Sequence, residues 1–272
     1  MATRDTELPF RVVQITDTHL FRDPRAALLK LNTQESFEKV MELAIRNETS
    51  IDVVLGTGDI AQDASREAYL RFAEAMQRLN APFYWIPGNH DRRQVMESLA
   101  PWEHAFCNLI TLGKWQIIML DSSVLGEVHG RLQERELQHL EKSLKAVRQS
   151  ATLEHALVCL HHNPLDGSAG WMSGIGLHNH EEFLAIIDRY SCVRAVLYGH
   201  IHQELDFHRN GVRYLCTPST CIQFKPDVHD FTLDDVNPAY RWMNLLPDGR
   251  IESGVERVTG YVFEVDHTSK GY

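Results

Sequence analysis

The sequence predicts an α/β fold: a four-layer α/β/β/α sandwich with a β-rich C-terminal part. Two observations carry that prediction. Up to about residue 200, short apolar runs of strand length alternate with segments of helical period, the pattern of β-α-β units and parallel sheets. Beyond it the helical period stops and turn dipeptides separate paired strand-length runs, the pattern of antiparallel hairpins. Two sheets covered by helices on their outer faces accommodate both.

The first strand is expected over 10–15 and the second over 51–55. Between them Asn32-Thr-Gln-Glu35 gives a capping-box start to a helix running to about residue 47. A helix over 65–79 leads to a strand over 82–86 that ends at Pro87-Gly88. The runs 109–112 and 115–120, joined at Gly113-Lys114, form a hairpin. A helix over 133–149 places Leu137, Leu140, Leu144 and Val147 on one face. Buried strands follow over 155–160 and 193–198, with a helix over 180–189 between them. The runs 203–209 and 212–216 flank Asn210-Gly211, a preferred type I′ dipeptide, and 242–246 and 251–258 flank Pro247-Asp248-Gly249. No internal repeat or linker breaks the chain. We expect one core domain over 1–225 and a C-terminal β extension, 226–272, packed on it.

With 272 residues, 43% of them hydrophobic and 24% charged, the chain has enough apolar side chain for a sizeable core. Its net charge of -10 repels a phosphate polymer over most of the surface, which argues against nucleic acid as a partner. The five cysteines form no CxxC pair, as expected of a reducing compartment. Residues 1–9 lack an apolar signal core, and no segment approaches the roughly 18 apolar residues of a membrane span. These features predict a soluble cytoplasmic protein with no membrane partner.

The chemistry lies in five short motifs: Asp17-Thr-His19, Gly58-Asp59, Gly88-Asn-His-Asp91, His161-His162 and Gly199-His-Ile-His202. Each follows an apolar run, so each belongs on a loop at a strand's carboxyl end, where α/β sheets gather their ligands. Asp17 and His19, like His200 and His202, alternate by two and leave an extended chain on one face. With Asp59, Asn89 and one histidine of the His161-His162 pair, seven ligands are in hand. His161 is favoured because it directly follows the apolar run. Site one takes Asp17, His19, Asp59 and His202; site two takes Asp59, Asn89, His161 and His200. Imidazole and carboxylate without thiolate suit Fe, Mn, Zn or Co. Two such ions about 3.5–4 Å apart activate water and hold phosphate oxygens. The leaving oxygen still needs a proton, and His90, next to Asn89, is the natural donor, with Asp91 or another acid to orient its ring. His129, His178 and His180 sit in polar loops and are expected to be solvated, and Asp63, Asp121 and Asp166 to be cap or turn residues.

These motifs resemble the signature of the calcineurin-like metallophosphoesterases over Asp17 to His202, and that resemblance implies the four-layer fold of this family. The stretches Gln14 to Leu20, Gly199 to Asp206 and Thr217-Pro-Ser-Thr-Cys-Ile-Gln-Phe-Lys-Pro226 are similar to bacterial class III 3′,5′-cyclic AMP phosphodiesterases. The resemblance implies the same seven metal ligands (Asp17, His19, Asp59, Asn89, His161, His200, His202) and iron or manganese as the two divalent ions. It implies substrate contacts from His19, Asp59, Asn89, His90 and His202, with His90 catalytic. Related sequences often place proline soon after the histidine pair; here Asn163 precedes Pro164, which leaves the register of His161 open. Hydrolysis of 3′,5′-cyclic AMP to 5′-AMP is the expected reaction. The alternatives are another diester, such as a 2′,3′-cyclic nucleotide or a glycerophosphodiester, or a scaffold without catalysis. Selectivity for the base is expected in the loops after Asp121 and around Trp171.

Overall fold

In a computed structural model describing residues 8–99, 101–165 and 170–271, the apolar runs become strands buried on both faces. The first half contains β1 (Phe10–Ile15), a ribbon of β2 (Ala27–Leu28) and β3 (Leu31–Asn32), α1 (Thr33–Asn47), β4 (Val53–Thr57), α2 (Arg66–Gln77), β5 (Phe83–Ile86) and α3 (Arg93–Glu97). Then come β6 (Leu109–Leu112), β7 (Trp115–Met119), α4 (Glu134–Gln149), β8 (His155–Cys159), α5 (His180–Ile187) and β9 (Val193–Tyr198). The remainder is β10 (Leu205–Arg209), β11 (Val212–Cys216), a ribbon of β12 (Gln223–Phe224) and β13 (Leu233–Asp234), β14 (Ala239–Leu245) and β15 (Ile251–Arg257). Asp166 lies outside the described residues.

One sheet runs β15-β14-β1-β4-β5 and the other β10-β11-β9-β8-β7-β6. Alternation along each strand then separates three cores. Val12, Val53 and Leu55 of the first sheet meet Ile117, Leu157 and Leu197 of the second between the sheets. Their neighbours Val13 and Val54 face the other way, onto Phe37 and Val40 of α1 and Phe72 of α2. On the far side Ile118, Val158 and Val196 pack against Leu140 and Leu144 of α4 and Phe183 of α5. Three cores between four layers give the expected sandwich, and double-sided burial explains why these strands read as continuous apolar runs.

The helices begin where their chemistry dictates. Asn32 Oδ1 accepts the Glu35 N–H at 2.8 Å, as the Asn-x-x-Glu spacing predicts. The ring of Phe37 stacks on Phe72 at 5.9 Å and Phe72 on Trp85 at 6.0 Å, pinning α1 and α2 to β5. Truncating Phe72 would cost about 3–5 kcal/mol.

The ribbons and α3 carry too little periodicity to be seen in sequence. The β2–β3 turn also places Leu29 and Lys30 at φ 47° and 75° without the Asn or Gly that signals such a turn. The hairpin β10–β11 is antiparallel as expected, but β11 joins its sheet parallel to β9, leaving β10 at the edge. In the other sheet β14 pairs antiparallel with β1, from Phe10 opposite Leu245 to Gln14 opposite Arg241.

That last pairing brings a polar group between the sheets. Arg241, 2% exposed, donates to Thr217 Oγ1 (2.9 Å), the Cys216 carbonyl (2.8 Å) and Ser253 Oγ (3.0 Å). Thr217 donates in turn to Gln14, whose amide reaches Thr57 Oγ1 at 2.7 Å. A buried guanidinium is tolerable because its protons are met by oxygens.

Candidate metal centre

All five motif loops leave the carboxyl ends of parallel strands: β1, β4 and β5 of one sheet, β8 and β9 of the other. Backbone hydrogen bonds join them, Asp17 N to Gly58 O (3.0 Å), His19 N to Asp59 O (2.9 Å) and Gly199 N to His161 O (3.1 Å). Their backbones are strained. Asp17, His19, Asp59, His200 and His202 lie at φ between 45° and 69°, five of the eleven non-glycine residues with positive φ among those described. Such conformations cost on the order of 1 kcal/mol or more each and cluster where side chains must be aimed. No spacing rule in the sequence announces them.

Glycines of the motifs make room. A Cβ on Gly88 would run into the backbone N and carboxylate of Asp59, and one on Gly199 into the carboxylate of Asp17. The loops therefore approach more closely than any other residue permits.

The side chains converge. His202 Nε2 stands 3.3 Å from Asp17 Oδ1 and 3.2 Å from His19 Nε2, which is 3.8 Å from Asp59 Oδ2. That same Asp59 oxygen is 3.3 Å from His161 Nε2, itself 3.3 Å from Asn89 Oδ1. Donor atoms about 2.1 Å from one ion stand roughly 3.0–3.4 Å apart, so these separations suit coordination. Asp59 lies in both halves of the cluster.

Of the histidine pair, His161 faces Asp59. His162 spends Nδ1 on Ser122 Oγ (2.8 Å) and Nε2 on the Val128 carbonyl (3.1 Å). His200 lies beside His161, ring centres 5.1 Å apart, and turns Nε2 to the Ile175 carbonyl (3.0 Å), which leaves Nδ1 to ligate. His90 stands against His19 with ring centres 5.0 Å apart, and its N–H donates to Asp59 Oδ1 at 2.9 Å.

The donor set fits cations. Asp59 Oδ2 is buried, its close polar neighbours being His161 Nε2 at 3.3 Å and His19 Nε2 at 3.8 Å. The rings of His19, His161 and His202 each turn Nδ1 to an oxygen, Gln62 Oε1 (2.5 Å), Thr57 O (2.8 Å) and Ile222 O (2.8 Å). Placing the protons on Nδ1 leaves the Nε2 lone pairs inward, the usual outer support of a ligating imidazole. Two such lone pairs 3.2 Å apart, on His19 and His202, repel unless a cation lies between them. Gln62, Thr57 and Ile222 went unnoticed in the sequence because a supporting partner has no fixed spacing from its ligand.

Burial and charge set the protonation. Burial, with His90 and His202 nearby, pushes His19 down to about 3 against the pull of Asp59. Burial and the charge of His161 push His200 down to about 3 as well. Both imidazoles are neutral at pH 7, the form that a metal ion requires. Burial alone would raise Asp17 and Asp59, but His202 holds Asp17 below the usual carboxylate range and His161 holds Asp59 well below it. His161 resists its own burial because Asp59 and Asp17 surround it, and it rises to about 9. In the metal-free protein the proton between Asp59 and His161 therefore sits on His161.

Asp91 does not steady the His90 ring. Its carboxylate accepts the N–H groups of Gly88 (2.8 Å), Ile60 (3.1 Å) and Ala61 (3.0 Å), locking two motif loops together. Burial and the neighbouring Asp59 raise it to about 6. Asp63 accepts from Ser65 N and Asp121 from Ser123 N, turn contacts of the expected kind. His129 stacks on His178 with ring centres 3.6 Å apart.

The segment after β11 forms the floor. Ser219 Oγ donates to the Asp17 carbonyl (2.7 Å), Ile222 holds His202, and Phe224 stacks on the His202 ring at 4.4 Å. A cleft of about 800 Å³ opens over Asn89, His90 and His200 and is lined farther out by Trp171, Phe224 and Phe231 and by residues 267–271.

Comparison with known proteins agrees with this geometry. Residues 10–204 match the calcineurin-like phosphoesterase family. A protein of Pseudomonas aeruginosa named 3′,5′-cyclic adenosine monophosphate phosphodiesterase CpdA is 40% identical over 99% of this chain and 98% of its own. Its namesake in Escherichia coli is 41% identical over 98% of this chain and 96% of its own. Among solved structures, a dimetal phosphatase from Danio rerio superposes with a TM-score of 0.62 at 16% identity, over 93% of this chain and all of that one. The fold, the clustered donors and the match over most of the chain place this protein in the calcineurin-like phosphoesterase family.

Proposed function

We propose that the protein hydrolyses 3′,5′-cyclic AMP to 5′-AMP at a dimetal centre. The observation that carries the substrate is the near-complete match, at 40–41% identity, to relatives named for that reaction, which extends well past the family's own limit at residue 204. Asp17, His19, Asp59 and His202 would hold one divalent ion, and Asp59, Asn89, His161 and His200 the other, with iron or manganese suited to such donors. When bound, the ions supply an activated water and positive charge for the phosphoryl oxygens.

The remaining work falls to the chain. Asn89, His90 and His202, with His19 and Asp59, orient the phosphodiester. Phosphorus gains an oxygen from water and loses its bond to the 3′ oxygen, which leaves with a proton from His90. The His90 backbone N–H on Asp59 fixes where that donor starts. Among the described residues no helix is long and apolar enough to cross a membrane, which is compatible with work on a cytoplasmic nucleotide.

The test is a panel of rates for the metal-loaded protein on 3′,5′-cyclic AMP, 3′,5′-cyclic GMP, 2′,3′-cyclic AMP and bis(nitrophenyl) phosphate, with product identification. The expected result is 5′-AMP from the first at the highest kcat/KM among the natural esters. No turnover of 3′,5′-cyclic AMP by protein carrying two ions would overturn the assignment.

A further inference from the structure

The metal cluster explains how a phosphodiester is cut but not how the rest of the nucleotide is held. The cleft extends beyond Asn89 and His90, and its outer part is aromatic. Trp171 meets Phe224 and Phe231 edge-on, ring centres 5.1 Å apart in both cases, and Phe224 meets Phe231 at 5.4 Å. Phe224 and Phe231 lie seven residues apart, on and beside the ribbon of β12 and β13, while Trp171 comes from a distant loop. Phe224 is 2% exposed, with His202 lying parallel to it, so it ties the aromatic group to the metal cluster. Trp171 and Phe231 are only half-buried, and both border the cleft.

The segment 267–271 borders the same cleft. It is held in place. Val265 is buried in the core with α4 and α5, Asp266 N donates to the Leu29 carbonyl (2.9 Å), and His267 Nε2 meets Asp235 Oδ1 at 3.0 Å. Asp266 Oδ1 also accepts the Thr268 N–H at 3.0 Å, which bends the chain along the cleft. A partly buried tryptophan and phenylalanine sharing a cleft with a pinned strap, next to a centre for phosphodiesters, offer a place for a flat apolar ring carrying polar edges.

We propose that Trp171, Phe231 and the segment 267–271 form the base subsite, with the purine of the cyclic nucleotide stacked on the aromatic pair and covered by the strap. This rests on the cyclic-nucleotide reading of the metal centre. A cleft of about 800 Å³ is within the size range of small-ligand sites, so phosphate, ribose and base fit together. Stacking on an aromatic side chain carries no strict code for one base, so the subsite gives grip first and discrimination through the edges. Lys270, exposed on the strap, adds positive charge to that edge.

The experiment compares kcat/KM for 3′,5′-cyclic AMP with that for the abasic 3′,5′-cyclic phosphate of ribose. It uses the wild-type protein, Trp171→Ala, Trp171→Phe and a chain ended after Asp266, each with metal content measured. The wild-type protein should prefer the nucleotide. Trp171→Ala should shrink that preference about 5- to 150-fold, the range of one base–aromatic stack, chiefly through KM. Ending the chain after Asp266 should shrink it as well, and Trp171→Phe should keep most of it. Misfolding or metal loss lowers both rates together and leaves the ratio at its wild-type value. An unchanged ratio in both Trp171→Ala and the shortened chain, with metals bound, overturns the subsite. If the wild-type protein instead cleaves neither cyclic phosphate while turning over another diester, the proposed function fails and the subsite with it.

Discussion

The substitution Gly88→Ala puts one methyl group where the metal centre has no space. The added Cβ meets the Asp59 backbone N and carboxylate, and backbone cannot swing aside as a long side chain does. Restoring ordinary contact requires a shift on the order of 1 Å, while ligand distances tolerate only about 0.2 Å. Because Asp59 stands in both halves of the cluster, both ions should be lost. Overpacking of this kind costs about 1–3 kcal/mol. At roughly 2–4 °C per kcal/mol for a protein near this size, the Tm of the metal-free variant should fall by about 2–12 °C. The control is Gly126→Ala, at φ +84° with nothing within 4 Å of the new Cβ, which imposes backbone strain without intrusion. Metal content after loading and Tm with and without a chelator are the measurements. The metal-dependent rise in Tm should vanish in Gly88→Ala and persist in Gly126→Ala. Two tightly held ions in Gly88→Ala, or equal metal loss in Gly126→Ala, would refute the steric reasoning.

Other expectations follow from the same geometry. Asp59→Asn should abolish binding of both ions whereas Asp17→Asn weakens one; a single tight ion retained by Asp59→Asn would show that its carboxylate is not shared. His161, raised to about 9 from 6.5, stabilises the metal-free protein fully below about pH 6.5, and that contribution is lost as pH rises through 9. An incoming ion must displace that proton, so calorimetry at pH 7–8 in buffers of different ionisation enthalpy should record release of about one proton per chain; none released would sink this protonation scheme. His90→Ala should leave metal content intact and slow cyclic AMP hydrolysis far more than that of an activated nitrophenyl diester, and equal losses would argue against proton donation. Arg241→Met leaves the Cys216 carbonyl and Ser253 without their donor, and should lower stability by about 1–3 kcal/mol with both ions still bound; an unchanged Tm would contradict it.

What the sequence disclosed follows from the range of the physics. Strands such as β4 and β8, buried on both faces, announce themselves as unbroken apolar runs, and Asn32-x-x-Glu35 marks the start of α1 within four residues. Asp17 with His19, and His200 with His202, were visible for the same reason: each pair acts at a spacing of two. Choosing between His161 and His162 needs Ser122 and the Val128 carbonyl, which lie about forty and thirty residues upstream. Asp91 invited a role beside His90, yet its partners Gly88, Ile60 and Ala61 are backbone groups that carry no residue identity. Residue 171, the 224–231 stretch and residues 267–271 are brought together only by the tertiary fold, so the cleft's outer wall had no local signature beyond the suspicion attached to the Trp171 loop.

The antiparallel partner of β1 has a consequence for the making of the protein. Arg11 and Asn244 touch although 233 residues separate them, so β1, which delivers Asp17 and His19, stays an open sheet edge until nearly the whole chain is synthesised. At about 5–20 residues per second that interval lasts on the order of 10–50 s. An apolar edge left bare so long is a template for neighbouring nascent chains. The same delay orders assembly: the seat for the ions is firm only once Arg241 has arrived beneath Gln14 and Thr217, and loading with metal becomes the closing act of folding rather than its beginning.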